Sequence, residues 1–151
     1  LLILCPAGKE ISPELIEKNI GISKDFNVFE LINAVGSKNI LKANQIANYF
    51  GSNEKKHPLV LTMGQLLSLF SDIITIHYLK DKSKANVAAA LKKNPFFVDP
   101  LLAAARNYSA GKTVKIMSYL REYDLKSKGL GSTGATSDGD LLRELLFKIM
   151  H

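Results

Sequence analysis

The stretch PLVLTMGQLLSLFSDIITIHYLK, residues 58–80, decides the fold. Projected at about 100° per residue, Leu59, Met63, Leu66, Leu67, Leu69, Phe70, Ile73, Ile74 and Ile76 share one half, the pattern of a helix rather than of an alternating strand. The other half, made of Gly64, Gln65, Ser68, Ser71, Asp72 and Thr75, is small and, except for Asp72, uncharged. A solvated helix carries Lys and Glu on such a face. Small neutral side chains instead let a second helix approach closely, so 58–80 is expected to be a central helix with Gly64, Ser68, Ser71 and Thr75 as its candidate contact surface. Ser71 and Asp72 interrupt the apolar runs well short of the roughly 20 residues that cross a bilayer, so no membrane span is expected.

Working outward, helix punctuation is dense. Ser12-Pro13 supplies an N-cap and a first-turn proline for a short helix over 12–20, and Gly21 follows it. Asn27 with Glu30 three residues later reads as a capping box, and Gly36 supplies a stop. A third helix is expected from Asn39 to Phe50, ended by Gly51. Beyond the central helix come helices near 84–92, from the Asp99-Pro100 start signal to 108, and from the Ser109 cap through Lys128 to Gly129. Residues 129–140 hold four glycines and no aromatic residue, which makes them a flexible loop before a last helix over 138–150. The expected fold is all-α, an irregular bundle of about seven helices without strands or a fixed repeat.

Composition agrees. The chain has 151 residues, 46% hydrophobic and 23% charged, close to globular averages. One domain of this size buries about 70% of its unfolded surface. Cys5 is the one cysteine and cannot form an internal disulfide, no Cys/His metal spacing occurs, and no secretory signal is present; a reducing, cytoplasmic setting is expected. The opening Leu1-Leu2-Ile3-Leu4 lacks an initiator Met, as expected of a piece of a longer polypeptide. The net charge is +6. Lys55-Lys56, Lys80, Lys82, Lys84 and Lys92-Lys93 sit in turn-like segments without interleaved aromatics, so a solvated surface outweighs a nucleic-acid face.

Few residues offer chemistry. Gly111-Lys112-Thr113 imitates the end of a phosphate-binding loop, but Arg106 stands where that loop needs a glycine, and 101–108 reads as helix where a strand is required. No ATP site or other cofactor is expected. His57, His77 and His151 lack metal-ligand spacing, and His77 projects into the apolar arc of the central helix as a hydrogen-bonded core imidazole. No nucleophile, base and acid are tied into a catalytic set. Asp124 projects between Met117 and Leu120 on its helix, where a carboxylate needs a partner. Lys128, Arg121, Arg106 or a helix N-terminus could serve, and the residue is expected to be a structural acid tying two helices together rather than a catalytic one.

Taken in order, Phe29-Glu30-Leu31 with Ala34, Lys42-Ala43 with Ile46, and Leu66 with Phe70 on the Pro58 helix form a series. Asn94-Pro95-Phe96-Phe97-Val98, Ala105-Arg106-Asn107-Tyr108-Ser109, and Leu120-Arg121-Glu122-Tyr123-Asp124 with Lys128 continue it. Together they resemble the C-terminal part of the delta subunit of the bacterial DNA polymerase III clamp loader, over nearly the whole chain. Ser71 departs from the series, since members often carry a basic residue after the Phe.

The resemblance implies a collar domain for residues 25–151, with residues 1–22 ending a lid-like middle domain, and no working ATP site. The implied function is non-catalytic: the domain packs with other clamp-loader subunits, of the gamma/tau and delta-prime types, so that the sliding clamp is loaded on DNA during replication. The parent would be a subunit of a DNA-directed DNA polymerase complex. It would engage the clamp through a separate N-terminal domain, and DNA only indirectly. Gly64, Ser68, Ser71 and Thr75 then become the candidate subunit interface. A basic helical nucleic-acid-binding module is the alternative, and it needs basic and polar side chains concentrated on one helix.

Overall fold

The computed structural model describes residues 25–131 and 134–151. The helix expected over 12–20 and the lid-like segment 1–22 lie outside the described residues. Among the described residues there is no strand. The helices are α1 (Val28–Gly36), α2 (Ile40–Ser52), α3 (Leu59–Tyr78), α4 (Lys84–Leu91), α5 (Val98–Asn107), α6 (Ala110–Ser127) and α7 (Asp138–Met150), with a 3₁₀ turn at Pro95–Phe97. The fold is the all-α bundle that the punctuation predicted.

The caps follow from side-chain chemistry. Asn27 Oδ1 accepts from the Glu30 N–H at 3.0 Å and Glu30 Oε2 accepts from the Asn27 N–H at 3.2 Å, which completes the capping box. Ser109 Oγ accepts from the Lys112 N–H to start α6. At the far end of α6, Gly129 takes a φ of +78°, where a side chain would strain the backbone.

Two boundaries differ from the expectation. Helix α5 begins at Val98, two residues before Pro100, because an amide missing from the first turn has no intrahelical partner to lose. Helix α2 continues through Gly51 to Ser52. Gly51 is not a stop: a Cβ there would stand 3.1 Å from Gly139 Cα, so its smallness serves the crossing of α2 with α7.

Helix α3 is the spine, packed against α6, α5 and α1. It buries Leu59, Met63, Leu66, Phe70, Ile73 and Ile76 against α1 residues such as Leu31 and Val35 and α7 residues such as Leu145. Each such side chain contributes about 1.5–3 kcal/mol when fully covered. Tyr108, fully buried between α5 and α6, is the polar joint of this core. Its hydroxyl donates to the Val35 carbonyl at 2.7 Å, its own carbonyl accepts from His77 Nε2 at 2.7 Å, and its ring meets Phe70 edge-on. Because a carbonyl only accepts, the His77 proton sits on Nε2. Burial raises the Tyr108 pKa.

Among the described residues, α3 is the one helix long and apolar enough to cross a membrane by length and composition. Its 20 unbroken residues exceed what the apolar runs on either side of Ser71 and Asp72 suggested. Helical phase explains both observations. The interrupting residues fall away from the buried stripe, which stays continuous and is occupied by the domain's own core.

Candidate functional site

The side of α3 turned away from the core is built from what the core does not need. Gly64 and Ser68 are exposed, Ser71 and Thr75 half-buried. A Cβ on Gly64 would meet no atom within 4 Å, so the face is open at its middle. The Thr75 hydroxyl donates to the Ser71 carbonyl at 2.9 Å and the one acid, Asp72, is paired with Lys93. The Thr75 hydroxyl and the Asp72 carboxylate thus already have partners within the domain.

Apolar side chains border the small ones. Val60 is 57% exposed, Leu61 65% and Leu67 46%. The projection put Leu67 in the core half. It lies at the arc's edge, and the buried stripe is narrower than half a turn because α6, α5 and α1 cover only one side. Val60 and Leu61 were missed as candidate surface residues. Their signal was present in the sequence, since two large apolar side chains lie outside the arc in the first turn of a helix that already has a full core face.

The other singled-out residues lie elsewhere. Asp124 Oδ2 accepts from Lys128 Nζ at 2.6 Å, one turn along the same chain segment. The acid is 37% exposed, and its pair runs along α6 rather than between two helices. Arg106, the other candidate partner, is exposed at the end of α5 and forms no ion pair among the described residues. Other side chains join α6 to α7: Tyr123, whose hydroxyl donates to Glu144 at 2.9 Å, and Glu122, which pairs with Lys148; burial and the Glu144 hydrogen bond push the Tyr123 phenol up to about 12.

Gly111-Lys112-Thr113 forms the first turn of α6. Lys112 Nζ donates to the Lys148 carbonyl and Thr113 Oγ1 to the Ser109 carbonyl. His57 stacks on Phe50 with ring centroids 4.2 Å apart, and burial, then the Lys56 charge, lowers its pKa. His151 stacks on Phe147. Among the described residues no group of three His, Cys, Asp or Glu side chains could hold a metal ion.

A family model for the C-terminal domain of the DNA polymerase III delta subunit matches residues 25–146. No curated protein and no solved structure matches the chain.

Proposed function

The chain belongs to the family formed by the C-terminal domain of the DNA polymerase III delta subunit, and from that premise we propose that its work is assembly, carried by the outer face of α3. The domain is a clamp-loader component, of a family not known to be catalytic. Val60, Leu61 and Leu67 anchor a partner helix, while Gly64, Ser68 and Ser71 let its backbone come close. The partners are clamp-loader subunits of the gamma/tau and delta-prime types, in a cytoplasmic replication complex. Clamp engagement belongs to another part of the parent protein.

The supporting observation is the uncovered, neutral, small-and-apolar side of the central helix. A helix that needed only water on that side would carry charge there. Here desolvation costs little, because the hydroxyls are small and the acid is already paired. Covering the exposed part of Leu61 and Val60, which is somewhat over half of each, would contribute about 1–2 kcal/mol each, the scale of interface anchors.

Sedimentation velocity on the chain mixed with gamma/tau-type and delta-prime-type subunits tests this directly. We expect cosedimentation at micromolar concentration. A chain that stays at its own sedimentation coefficient with every combination of partners would sink the assembly reading.

A further inference from the structure

Two long stretches of the chain contain no acidic residue: 31–53, with Lys38 and Lys42, and 100–121, with Arg106, Lys112, Lys115 and Arg121. The fold brings them together. Asn107 Nδ2 donates to the Gly36 carbonyl at 2.9 Å, so the end of α5 is fastened to the end of α1. One residue further on, the Lys38 ammonium lies 5.5 Å from the centre of the Tyr108 ring, immediately before the Ser109 cap of α6. Lys112 and Lys115 follow in the first two turns of α6. Lys112 and Lys115 stand about one turn apart on α6, and burial, then the charges of Lys115 and Lys38, holds the Lys112 ammonium below the ordinary lysine range. None of Lys38, Arg106, Lys112 and Lys115 forms an ion pair with an acid among the described residues; Lys42, Lys55, Lys80, Lys82, Lys92 and Arg121 form none either, so the junction is set apart by the gathering of its cations and not by their lack of a partner.

We propose that this junction of α1, α5 and α6 is a contact site for the phosphate backbone of nucleic acid, carried by Lys38, Arg106 and Lys115 around Lys112. Like charges left together without an acid repel one another, and a polyanion relieves that repulsion. The residues between the cations, Asn39, Asn107, Ser109 and Gly111, are exposed and polar or without a side chain. The aromatic ring at the junction, Tyr108, is buried, so no exposed ring is offered for base stacking. The site thus touches phosphates and reads no sequence. It is built across three elements, which differs from the single basic helix that the sequence alternative required. Nucleic acid is the polyanion that a component of a DNA polymerase meets. The site does not depend on the α3 face or on the assembly reading, which is measured separately.

The test is fluorescence anisotropy of a labelled 30-base-pair duplex titrated with the chain at several salt concentrations. For three phosphate contacts the slope of log K against log salt should be about −2.7, at roughly −0.9 per contact. The triple variant Lys38→Gln, Arg106→Gln, Lys115→Gln should weaken binding about tenfold or more at low salt and flatten the slope by about 2 to 3. Lys55→Gln, Lys82→Gln, Lys92→Gln, an equal loss of charge elsewhere, should change it less than about twofold, and Lys38→Arg with Lys115→Arg should retain binding. The three side chains are exposed, so the denaturation midpoint should not move.

Equal losses in both triple variants would overturn the site in favour of diffuse charge. Polyglutamate that displaces the duplex at matched charge, with its own binding lost in the first triple variant, would assign the site to an acidic protein and overturn the nucleic-acid assignment. A variant that loses the duplex yet still cosediments with its partner subunits supports the site as a separate function.

Discussion

Gly139 and Gly64 are both helical glycines, yet they stand in opposite situations. At the crossing of α7 with α2, a Cβ on Gly139 would lie 2.6 Å from Gly51 Cα, and Glu54 Oε1 accepts from the Gly139 N–H at 3.0 Å. Smallness there is already used within the chain, and the contact is backbone on backbone. On α3, a Cβ on Gly64 would meet nothing. Small residues in a helix therefore do not by themselves reveal where their partner is. The sequence marked the α3 face as a place of close approach and read Gly51 as a helix stop, although only Gly51 makes its close approach inside this domain.

The contrast can be broken most forcefully at the crossing. Gly139→Ala places a methyl group where only backbone could give way, and overpacking of this kind costs on the order of 1–3 kcal/mol. A denaturant midpoint matching the unmodified chain would show that the α2 and α7 backbones separate freely. Gly64→Ala should act in the other direction. With no atom to meet and the helix kept, removing the backbone freedom of glycine should stabilise the isolated chain by about 0.5–1 kcal/mol. Loss of stability there would mean that the outer face is packed within the domain after all.

Asp124→Ala sharpens the same lesson for a polar residue. The Asp124–Lys128 pair is half-exposed and one turn apart, so its removal should cost only about 0.3–0.5 kcal/mol. A loss above about 1 kcal/mol in chemical denaturation would restore the acid to a role between helices.

Local signals were legible where the interaction is local. The Asn27 capping box, the Ser109 cap and the Gly129 stop each involve residues within four positions, and each formed. The buried stripe of α3 was readable because helical phase alone fixes it, apart from Leu67 at its exposed edge and Thr62, a polar residue that the core also buries. Asp124 projected inside an apolar arc, but the arc on α6 is covered only where α3 and α7 reach it. Lys38 and Lys115 lie far apart in sequence, and nothing local to either announces the other. Their meeting depends on the Asn107–Gly36 bond and on Tyr108 reaching Val35, which are contacts of the folded chain.

The measurement that bears most directly on the assembly reading is sedimentation velocity of the Ser68→Arg chain with its partner clamp-loader subunits, run beside a chemical denaturation of the chain alone. Ser68 is exposed at the middle of the α3 outer face, so the account predicts a midpoint within about 0.5 kcal/mol of the unmodified chain and no cosedimentation. A folded Ser68→Arg chain that still cosediments with those subunits would contradict it and place the interface elsewhere on the domain.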